Sequence, residues 1–155
     1  MARPGSNNIQ NDITIDLGLM AKTTYSPRKE LAMLLPGGTW TDVYHEVEKH
    51  NAESDLDGRR VAGGRESTFA IDGLLTGGGK MSYTCRSVNY EVVLADGSIL
   101  QANDTENEDL FRVLKGGGNN FCIVTRFDMV YVLIERHMGR EIVYAKESTL
   151  YSATP

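Results

Sequence analysis

Clusters of glycine are the residues of this sequence best suited to chemistry. Glycine has no Cβ and adopts positive φ readily, so glycine loops let the main chain approach a ligand closely and point N–H groups at phosphate oxygens. Such loops could hold a dinucleotide. The alternative is that these glycines form ordinary turns and helix ends, and composition alone favours this alternative. The clusters are Gly37 and Gly38, Gly63 and Gly64, Gly73, Gly77 to Gly79, and Gly116 to Gly118.

Neither of the common glycine-rich phosphate motifs accounts for these clusters. Gly79 and Lys80 look like the end of a P-loop, but Leu74 stands where GxxxxGK requires its first glycine and Met81 where it requires Ser or Thr. No GxGxxG motif follows a predicted strand and opens a helix, so the Rossmann fingerprint is also missing. A phosphate site would have to be built from a different arrangement of loops.

The sequence does not indicate a metal site or an acid–base cluster. His45 and His50 are five residues apart on a predicted helix, which turns them about 140° away from each other. Cys85 and Cys122 are expected to be free thiols, because there is no sign of secretion. Four carboxylates lead into a predicted helix, where the helix dipole favours negative charge. They are Asp104, Glu106, Glu108 and Asp109.

Composition places the chain among ordinary globular domains. It has 155 residues, a net charge of −5, and sixteen Lys and Arg scattered among twenty-one Asp and Glu, so it offers no basic stripe to nucleic acid. The start, MARPGSNNIQND, has no apolar core, and no later run is long and apolar enough to span a bilayer. We expect a cytoplasmic protein with neither a nucleic-acid nor a membrane partner.

The first half of the chain predicts short strands around one helix. Thr39 and Asp42 resemble a capping box, and apolar residues follow at the spacing of an amphipathic helix, so a helix is predicted from Trp40. Apolar alternation and turn residues delimit the other elements. These are strands at residues 13–17, 22–26, 31–35 and 61–65, a surface loop at 51–60 and a helical turn at 68–76.

The second half predicts a hairpin, a helix and a long strand. Apolar and polar residues alternate on both sides of Asp96 and Gly97, where a tight two-residue turn is predicted. Asn107 is predicted to cap a short amphipathic helix, and residues 122–134 are typical of a strand. The predicted fold class is therefore α+β, a mainly antiparallel sheet flanked by short helices.

Several segments, in order, resemble one known family. VNYEVVLADGSI, ENEDLFRVLKGGGNNF and IVTRFD are similar to the C-terminal part of the FAD-binding domain of oxygen-dependent FAD-linked oxidoreductases, the berberine-bridge-enzyme-like group. NNIQNDITIDL, LPGGTWTDVY, VAGGR and GLLTGGG precede them in that family's order. An ordered series is more specific than any single glycine motif. The resemblance covers roughly residues 8–128 and implies the second subdomain of a PCMH-type FAD-binding domain, with FAD as cofactor.

The resemblance also implies a set of cofactor-binding positions. In such proteins the matching segments line the flavin or its adenine and ribose, and they act largely through the main chain. The implied cofactor-binding residues are Pro36, Gly37, Gly38, Gly63, Gly64, Arg65, Thr68, Gly73, Leu74, Gly77, Gly78, Gly79, Val88, Gly118, Asn120, Phe121, Ile123 and Val124. No catalytic residue is assigned, and no metal is implied.

The chain also departs from the family pattern. Glu66 stands where some members have a cysteine bonded to the flavin, so that covalent link is not expected. Ala70 and Asp72 replace small glycines, Cys122 replaces another, and Asp72 would place a carboxylate near an anionic cofactor. The expected organisation is a disordered N-terminus at residues 1–7, a partial FAD-binding domain at 8–135 and the start of a truncated substrate domain at 136–155.

The function implied by the resemblance is oxidation of a small organic substrate in specialised metabolism, with transfer of a hydride to flavin and reoxidation by O₂. A second interpretation stays open. The chain could be a non-catalytic, truncated remnant or interaction module that needs a partner chain to bind FAD. Exposed strand edges would then invite an oligomer or a companion polypeptide.

Overall fold

An antiparallel sheet with helices packed on it forms the part of the protein that the computed structural model describes, residues 10–26, 30–54, 59–64, 66, 68–78 and 87–133. The elements are β1 (Thr23–Ser26), β2 (Leu31–Leu34), α1 (Trp40–Ser54), β3 (Arg59–Val61), α2 (Ile71–Thr76), β4 (Ser87–Val93), β5 (Ile99–Asn103), α3 (Glu108–Leu114) and β6 (Ile123–Leu133). The strand order is β1-β2-β6-β4-β5, and β3 also pairs with β6. All of these pairings are antiparallel.

The eleven-residue strand β6 is the centre of the sheet. β2 lies on one side of it with Leu34 opposite Phe127, and β4 lies on the other with Val92 opposite Val124. β3 pairs with the last residues of β6. A strand with neighbours on both sides pairs its backbone N–H and C=O groups with them, and many of its side chains are buried. β-branched and aromatic residues pack well in such a strand, which explains their frequency in β6.

The core lies between one face of the sheet and helices α1 and α3. Trp40 and Val43 of α1 are fully buried. The buried ring of Tyr90 packs against Phe111 of α3 at 5.5 Å and edge-on against Phe127 of β6 at 5.4 Å between ring centroids. This aromatic packing fixes the position of the helices on the sheet.

The predicted capping box at the start of α1 is confirmed. The main-chain N–H of Thr39 donates to Asp42 Oδ2 (2.8 Å), and the N–H of Asp42 donates to Thr39 Oγ1 (3.4 Å). The hydrogen bonds from Thr39 lower the pKa of Asp42. Two orphan N–H groups of the first helical turn are thereby satisfied.

The predicted loop at residues 51–60 and strand at 61–65 are wrong in their boundaries. α1 continues to Ser54, and β3 covers Arg59–Val61. The amide of Asn51 donates to the carbonyl oxygen of Arg59 (2.9 Å), which ties the end of the helix to the strand. Pairing with β6 decides where β3 begins, and this pairing is not visible in local sequence.

The strand predicted at residues 13–17 is not formed. Asp12 accepts a hydrogen bond from the N–H of Ile13 and Asp16 accepts one from the N–H of Gly18, both at 2.8 Å, so local turns replace a ladder. Ile13 is 82% exposed. Alternation alone predicted this strand, but no neighbouring strand pairs with it in the described part of the sheet.

The hairpin is confirmed, but its predicted two-residue turn is wrong. The N–H of Leu94 donates to Ser98 O (3.0 Å) and the N–H of Gly97 donates to Leu94 O (2.9 Å), which leaves a three-residue loop. Gly97 has φ +83°, as expected when a type I turn is followed by a left-handed residue. The turn residues were identified correctly, and the loop length was not.

The remaining predicted elements agree with the structure to within a few residues. The strands predicted at 22–26, 31–35 and 122–134 correspond to β1, β2 and β6, and the helical turn at 68–76 is α2. Asn107 occupies the N-cap position of α3, but its side chain donates to Gln101 O (2.7 Å) rather than to the helix. Cys85, His137 and residues 1–7 and 136–155 lie outside the described residues.

Candidate cofactor site

The glycine loops meet at one end of the sheet. β2 ends with Leu34 opposite Phe127, and β4 ends with Val93 opposite Ile123, the first residue of β6. Because β2 and β4 run antiparallel to β6, the chain leaves both strands at the end where β6 begins. We call this the site end of the sheet. It comprises the loop after β2, the loop before β6 and the segments bonded to them.

The loop after β2 is bonded to the start of α2. The N–H of Ile71 donates to Gly38 O (3.1 Å), and Pro36 and Gly38 are buried. A Cβ added to Gly37 would lie 2.0 Å from the main-chain oxygen of Leu17. The packing of the chain on itself therefore already requires glycine at position 37.

Trp40 supports the next pair of glycines. A Cβ on Gly63 would lie 2.2 Å from Cε3 of Trp40, and one on Gly64 would lie 2.7 Å from its Cδ1. The hydroxyl of Tyr44 donates to Gly64 O (2.7 Å), and burial raises the pKa of Tyr44. These contacts hold Gly63 and Gly64 flat against α1, and again the protein's own packing requires glycine.

Described glycines of the two triplets meet beyond α2. The N–H of Gly118 donates to Thr76 O (2.9 Å), and a Cβ on Gly78 would lie 3.0 Å from Cα of Gly116. All three of these glycines have positive φ, +64°, +131° and +65° in chain order. Only glycine adopts such angles without cost, so glycine is needed at these three positions for this backbone path.

Gly73 differs from the other candidate glycines. It lies inside α2, its φ is not in the left-handed region, and an added Cβ would meet no described atom within 4 Å. Glycine inside a helix costs about 1 kcal/mol relative to alanine. Neither packing nor backbone conformation in the described part of the chain explains this glycine. Its open face could admit a ligand to the main chain of α2, as a flavin dinucleotide requires.

The remaining predicted site residues are only partly brought together. Thr68, Asn120 and Phe121 are exposed near the site end, and Leu74 approaches Gly64. Asn120 donates through its amide to Gly117 O (2.6 Å), so it shapes the loop before β6.

Two groups of predicted residues differ from the rest. Val88 lies in β4 two residues before Tyr90, whose partner Phe127 is also the partner of Leu34, and four residues before Val92, the partner of Val124. Val124 is buried in the core, where its side chain cannot meet a ligand. Arg65 and Gly79 lie outside the described residues.

A carboxyl group and a thiol interact electrostatically at the site end. Asp72, in the first turn of α2, and Cys122, just before β6, are both half-buried. Burial raises the pKa of Asp72. Burial, and secondly the charge of Asp72, raise the pKa of Cys122. The sequence marked both residues only as departures from a glycine pattern, because their interaction depends on the bond that joins the end of α2 to the loop before β6.

The proximity of Asp72 and Cys122 can be tested by thiol alkylation. In a Cys85→Ser background, which leaves Cys122 as the chain's one cysteine, we expect Asp72→Asn to speed reaction with iodoacetamide at pH 7.5 about twofold or more. Removing the negative charge lowers the pKa of the thiol and so increases the thiolate fraction. Asp109→Asn, a remote change in the first turn of α3, is the control. Equal rates in all three proteins would show that the two groups do not interact.

The described residues contain no group of three or more His, Cys, Asp or Glu side chains arranged to hold a metal ion. The acidic residues before α3 are exposed, and Glu108 pairs with Arg112 at 2.6 Å along the helix. His50, predicted to point away from His45, stacks on the ring of Tyr25 at 4.8 Å. None of the helices in the described part of the chain has the length and apolar character needed to cross a membrane.

Comparison with known proteins gives close sequence relatives. The chain is 39% identical over 133 residues to the FAD-dependent monooxygenase tpcD of Cochliobolus heterostrophus, and this match covers 81% of the chain and 24% of the relative. It is 38% identical over 132 residues to the FAD-dependent monooxygenase drtC of Aspergillus calidoustus, with the same coverage. The chain thus spans about a quarter of the length of these relatives. No family model matches it.

Solved structures share the fold. The carbohydrate oxidase of Microdochium nivale superimposes with a TM-score of 0.62 at 28% identity, over 78% of this chain and 26% of that one. The 6-hydroxy-D-nicotine oxidase of Arthrobacter nicotinovorans superimposes with a TM-score of 0.71 over 82% of this chain and 28% of that one, and at 22% identity it bears on the fold alone. The predicted fold class, an α+β subdomain of the PCMH-type FAD-binding domain, is confirmed.

The antiparallel sheet, with its glycine loops gathered at one end, therefore belongs to the class of flavoprotein cofactor-binding domains. In sequence, the chain is similar to one part of the fungal FAD-dependent monooxygenases.

Proposed function

We propose that this chain forms part of the FAD-binding domain of an FAD-linked oxidoreductase, and that the site end of the sheet holds the cofactor. The observation that carries the proposal is the open face of Gly73. No described contact explains why this position is glycine. Glycine with space beside it is what close approach of a ligand to the main chain requires. The names of the sequence relatives, FAD-dependent monooxygenases, support the choice of FAD.

The residues of this chain would bind and position FAD rather than take part in the reaction. Trp40 and Tyr44 hold Gly63 and Gly64 in place, and the bond between Gly118 and Thr76 holds the loop before β6 against α2. The buried and packed parts of this frame resist movement, so the main-chain groups at the site end are preorganised. FAD, when bound, would supply a ring that accepts a hydride from the substrate and is reoxidised by O₂.

We propose a small organic substrate of specialised metabolism, which fits the fungal origin of the sequence relatives. The described residues include no group to which we assign the catalytic step. The domain assignment of residues 8–135 to the FAD-binding domain and of 136–155 to the start of a substrate domain also stands as part of this proposal.

The test of the site is Gly73→Ala. We expect it to weaken FAD binding tenfold or more, because the added methyl group takes the space proposed for the cofactor. We expect it to leave the apoprotein unchanged or to stabilise it by up to about 1 kcal/mol, since alanine is the better helix former. The measurements are flavin fluorescence titration and thermal unfolding without FAD.

Gly37→Ala is the contrasting variant, because its Cβ would collide with the main chain of Leu17. We expect it to lose stability first and binding only as a consequence. Unchanged FAD affinity in Gly73→Ala would remove this face of α2 from the site. A wild-type chain that takes up no FAD, even in excess, would contradict the proposed function itself.

A second candidate is a non-catalytic interaction module that needs a partner chain to bind FAD. Exposed aromatic side chains at the site end favour it, because Phe69 and Phe121 are 53% and 48% exposed beside the same loops. Exposed aromatic residues are frequent in protein–protein interfaces. Light scattering of the purified chain with and without FAD separates the two candidates. A flavin-containing monomer supports the first, and a flavin-free oligomer supports the second.

A further inference from the structure

Asp72 places a carboxyl group in a segment where the other candidate site positions are mostly glycines that expose their main chain. It follows Ile71, whose N–H is bonded to Gly38 O, and precedes Gly73, whose face is open. The side chain is half-buried, on the same short helix that connects the loop after β2 to the loop before β6. Any ligand that reaches the main chain of α2 at Gly73 must come close to this carboxyl group.

The groups around Asp72 do little to neutralise its charge. The thiol of Cys122, in the segment before β6, is close enough to be affected by the charge of Asp72. The hydroxyl of Thr76 on the same helix donates to the main-chain oxygen of Asp72 (2.8 Å), and hydrogen bonding by Thr76 to the carboxyl group opposes part of the effect of burial on its pKa. On α1, Tyr44 donates its hydroxyl to Gly64 O. Lys115, in the loop before β6, lies over the ring of Phe111 at 3.7 Å. No salt bridge to Asp72 is formed by the described residues.

FAD carries a pyrophosphate with two negative charges near neutral pH. FAD that approaches the main chain of α2 at Gly73 would bring this negative charge toward Asp72, which is half-buried, and repulsion between like charges is stronger in a partly desolvated environment than in water. Burial already raises the pKa of Asp72 in the free protein, so the proton needed to remove this repulsion is bound more readily than by an exposed carboxylate.

We propose that FAD binding by this chain is coupled to protonation of Asp72, so that the complex contains the neutral carboxyl group. The inference rests on the proposed function and adds that the affinity for FAD depends on pH. One proton moves from solvent to an oxygen of the Asp72 carboxylate, and no bond to FAD is formed or broken. The neutral group can also donate a hydrogen bond, which a carboxylate cannot.

The sign of the pH dependence follows from linkage. FAD binding that favours the protonated form raises the pKa of Asp72 further in the complex. Between the pKa of the free protein and that of the complex, binding takes up one proton, so affinity falls as pH rises. A full proton of uptake corresponds to a tenfold loss of affinity for each pH unit.

The experiment measures the Kd for FAD by flavin fluorescence from pH 5.5 to 8.5 at constant ionic strength, on the whole chain. We expect the Kd of the wild type to rise by up to about tenfold per pH unit over part of this range. We expect Asp72→Asn to bind about tenfold more tightly than the wild type at pH 8 and to show little pH dependence. Calorimetry in buffers of different ionisation enthalpy should detect proton uptake in the wild type and none in the variant.

Asp109→Asn is the matched control, since Asp109 lies in the first turn of α3 with its side chain 99% exposed. It should retain the pH slope of the wild type. Equal slopes in the wild type and Asp72→Asn would overturn the inference and leave the proposed function standing. Weaker binding by Asp72→Asn at every pH would also overturn it, because the carboxylate would then be a direct ligand. Absence of FAD binding in all three proteins would overturn both.

Discussion

Trp40→Ala is expected to lower the free energy of unfolding by about 3–5 kcal/mol, the range for removal of a buried tryptophan. Trp40 is fully buried at the start of α1, and its ring lies against both Gly63 and Gly64. A cavity left there cannot be filled by glycine side chains, so little relaxation is available. Chemical denaturation monitored by circular dichroism measures the effect.

The same substitution should abolish FAD binding even under conditions where the variant is folded, because the segment at Gly63 and Gly64 loses its support. For the loss of stability, Phe121→Ala is the control. It also removes an aromatic ring at the site end, but that ring is half exposed, and we expect less than about 1 kcal/mol of lost stability. A Trp40→Ala protein as stable as Phe121→Ala would contradict the packing described for α1.

Arg126→Met is expected to lower the free energy of unfolding by about 2–3 kcal/mol. On the face of the sheet opposite the core, Arg126 donates to Asp128 Oδ1 (2.7 Å) and to Glu91 Oε2 (2.8 Å). These interactions raise the pKa of Arg126. The side chain of Asp128 is only 10% exposed, so loss of the guanidinium leaves a buried carboxylate with the amide of Asn89 as its remaining partner among the described side chains. Methionine keeps most of the apolar stem, so packing loss is small.

Two controls isolate the charge effect. Arg112→Met removes an arginine from an exposed pair with Glu108, and we expect a change within about 0.5 kcal/mol. In a double-mutant cycle, Asp128→Asn should be less harmful in the Arg126→Met background than alone, with a coupling energy of about 1–2 kcal/mol. Additive effects of the two substitutions would mean that the interaction between Arg126 and Asp128 contributes nothing to stability.

The difference between these two arginines shows what local sequence cannot supply. Both lie near carboxylates along the chain, Arg112 beside Glu108 and Arg126 beside Asp128. Only the pairing of β4 with β6 places Glu91 across from Arg126 and encloses the group. An exposed pair and a half-buried network therefore look alike in sequence and differ in energy.

Most of the fold was predictable because its elements carry strong local signals. The capping box at Thr39, the apolar stripe of α1 and the alternation in β4 and β6 are each decided within a few residues. The errors fall where pairing with a distant strand decides the secondary structure. Residues 13–17 alternate but have no neighbouring strand among the described residues, and β3 begins where β6 can pair with it.

The candidate site was predicted as a set of glycines, and the sequence alone could not rank them. Residue type indicates where the main chain can bend or be approached, because only glycine lacks a Cβ. The tertiary structure decides what approaches each one. Leu17 meets Gly37, Trp40 meets Gly63 and Gly64, and the described chain leaves Gly73 open.

The sequence by itself indicated the class of the protein, through ordered segments that resemble FAD-linked oxidoreductases, and it determined most of the order of strands and helices along the chain. Tertiary structure alone decided which glycines are closed off by other residues and that the charge of Asp72 affects the thiol of Cys122. The physical reason is that helical and strand periodicity act over a few residues, whereas burial, repulsion between charges and close backbone contacts depend on which distant segments the fold brings together.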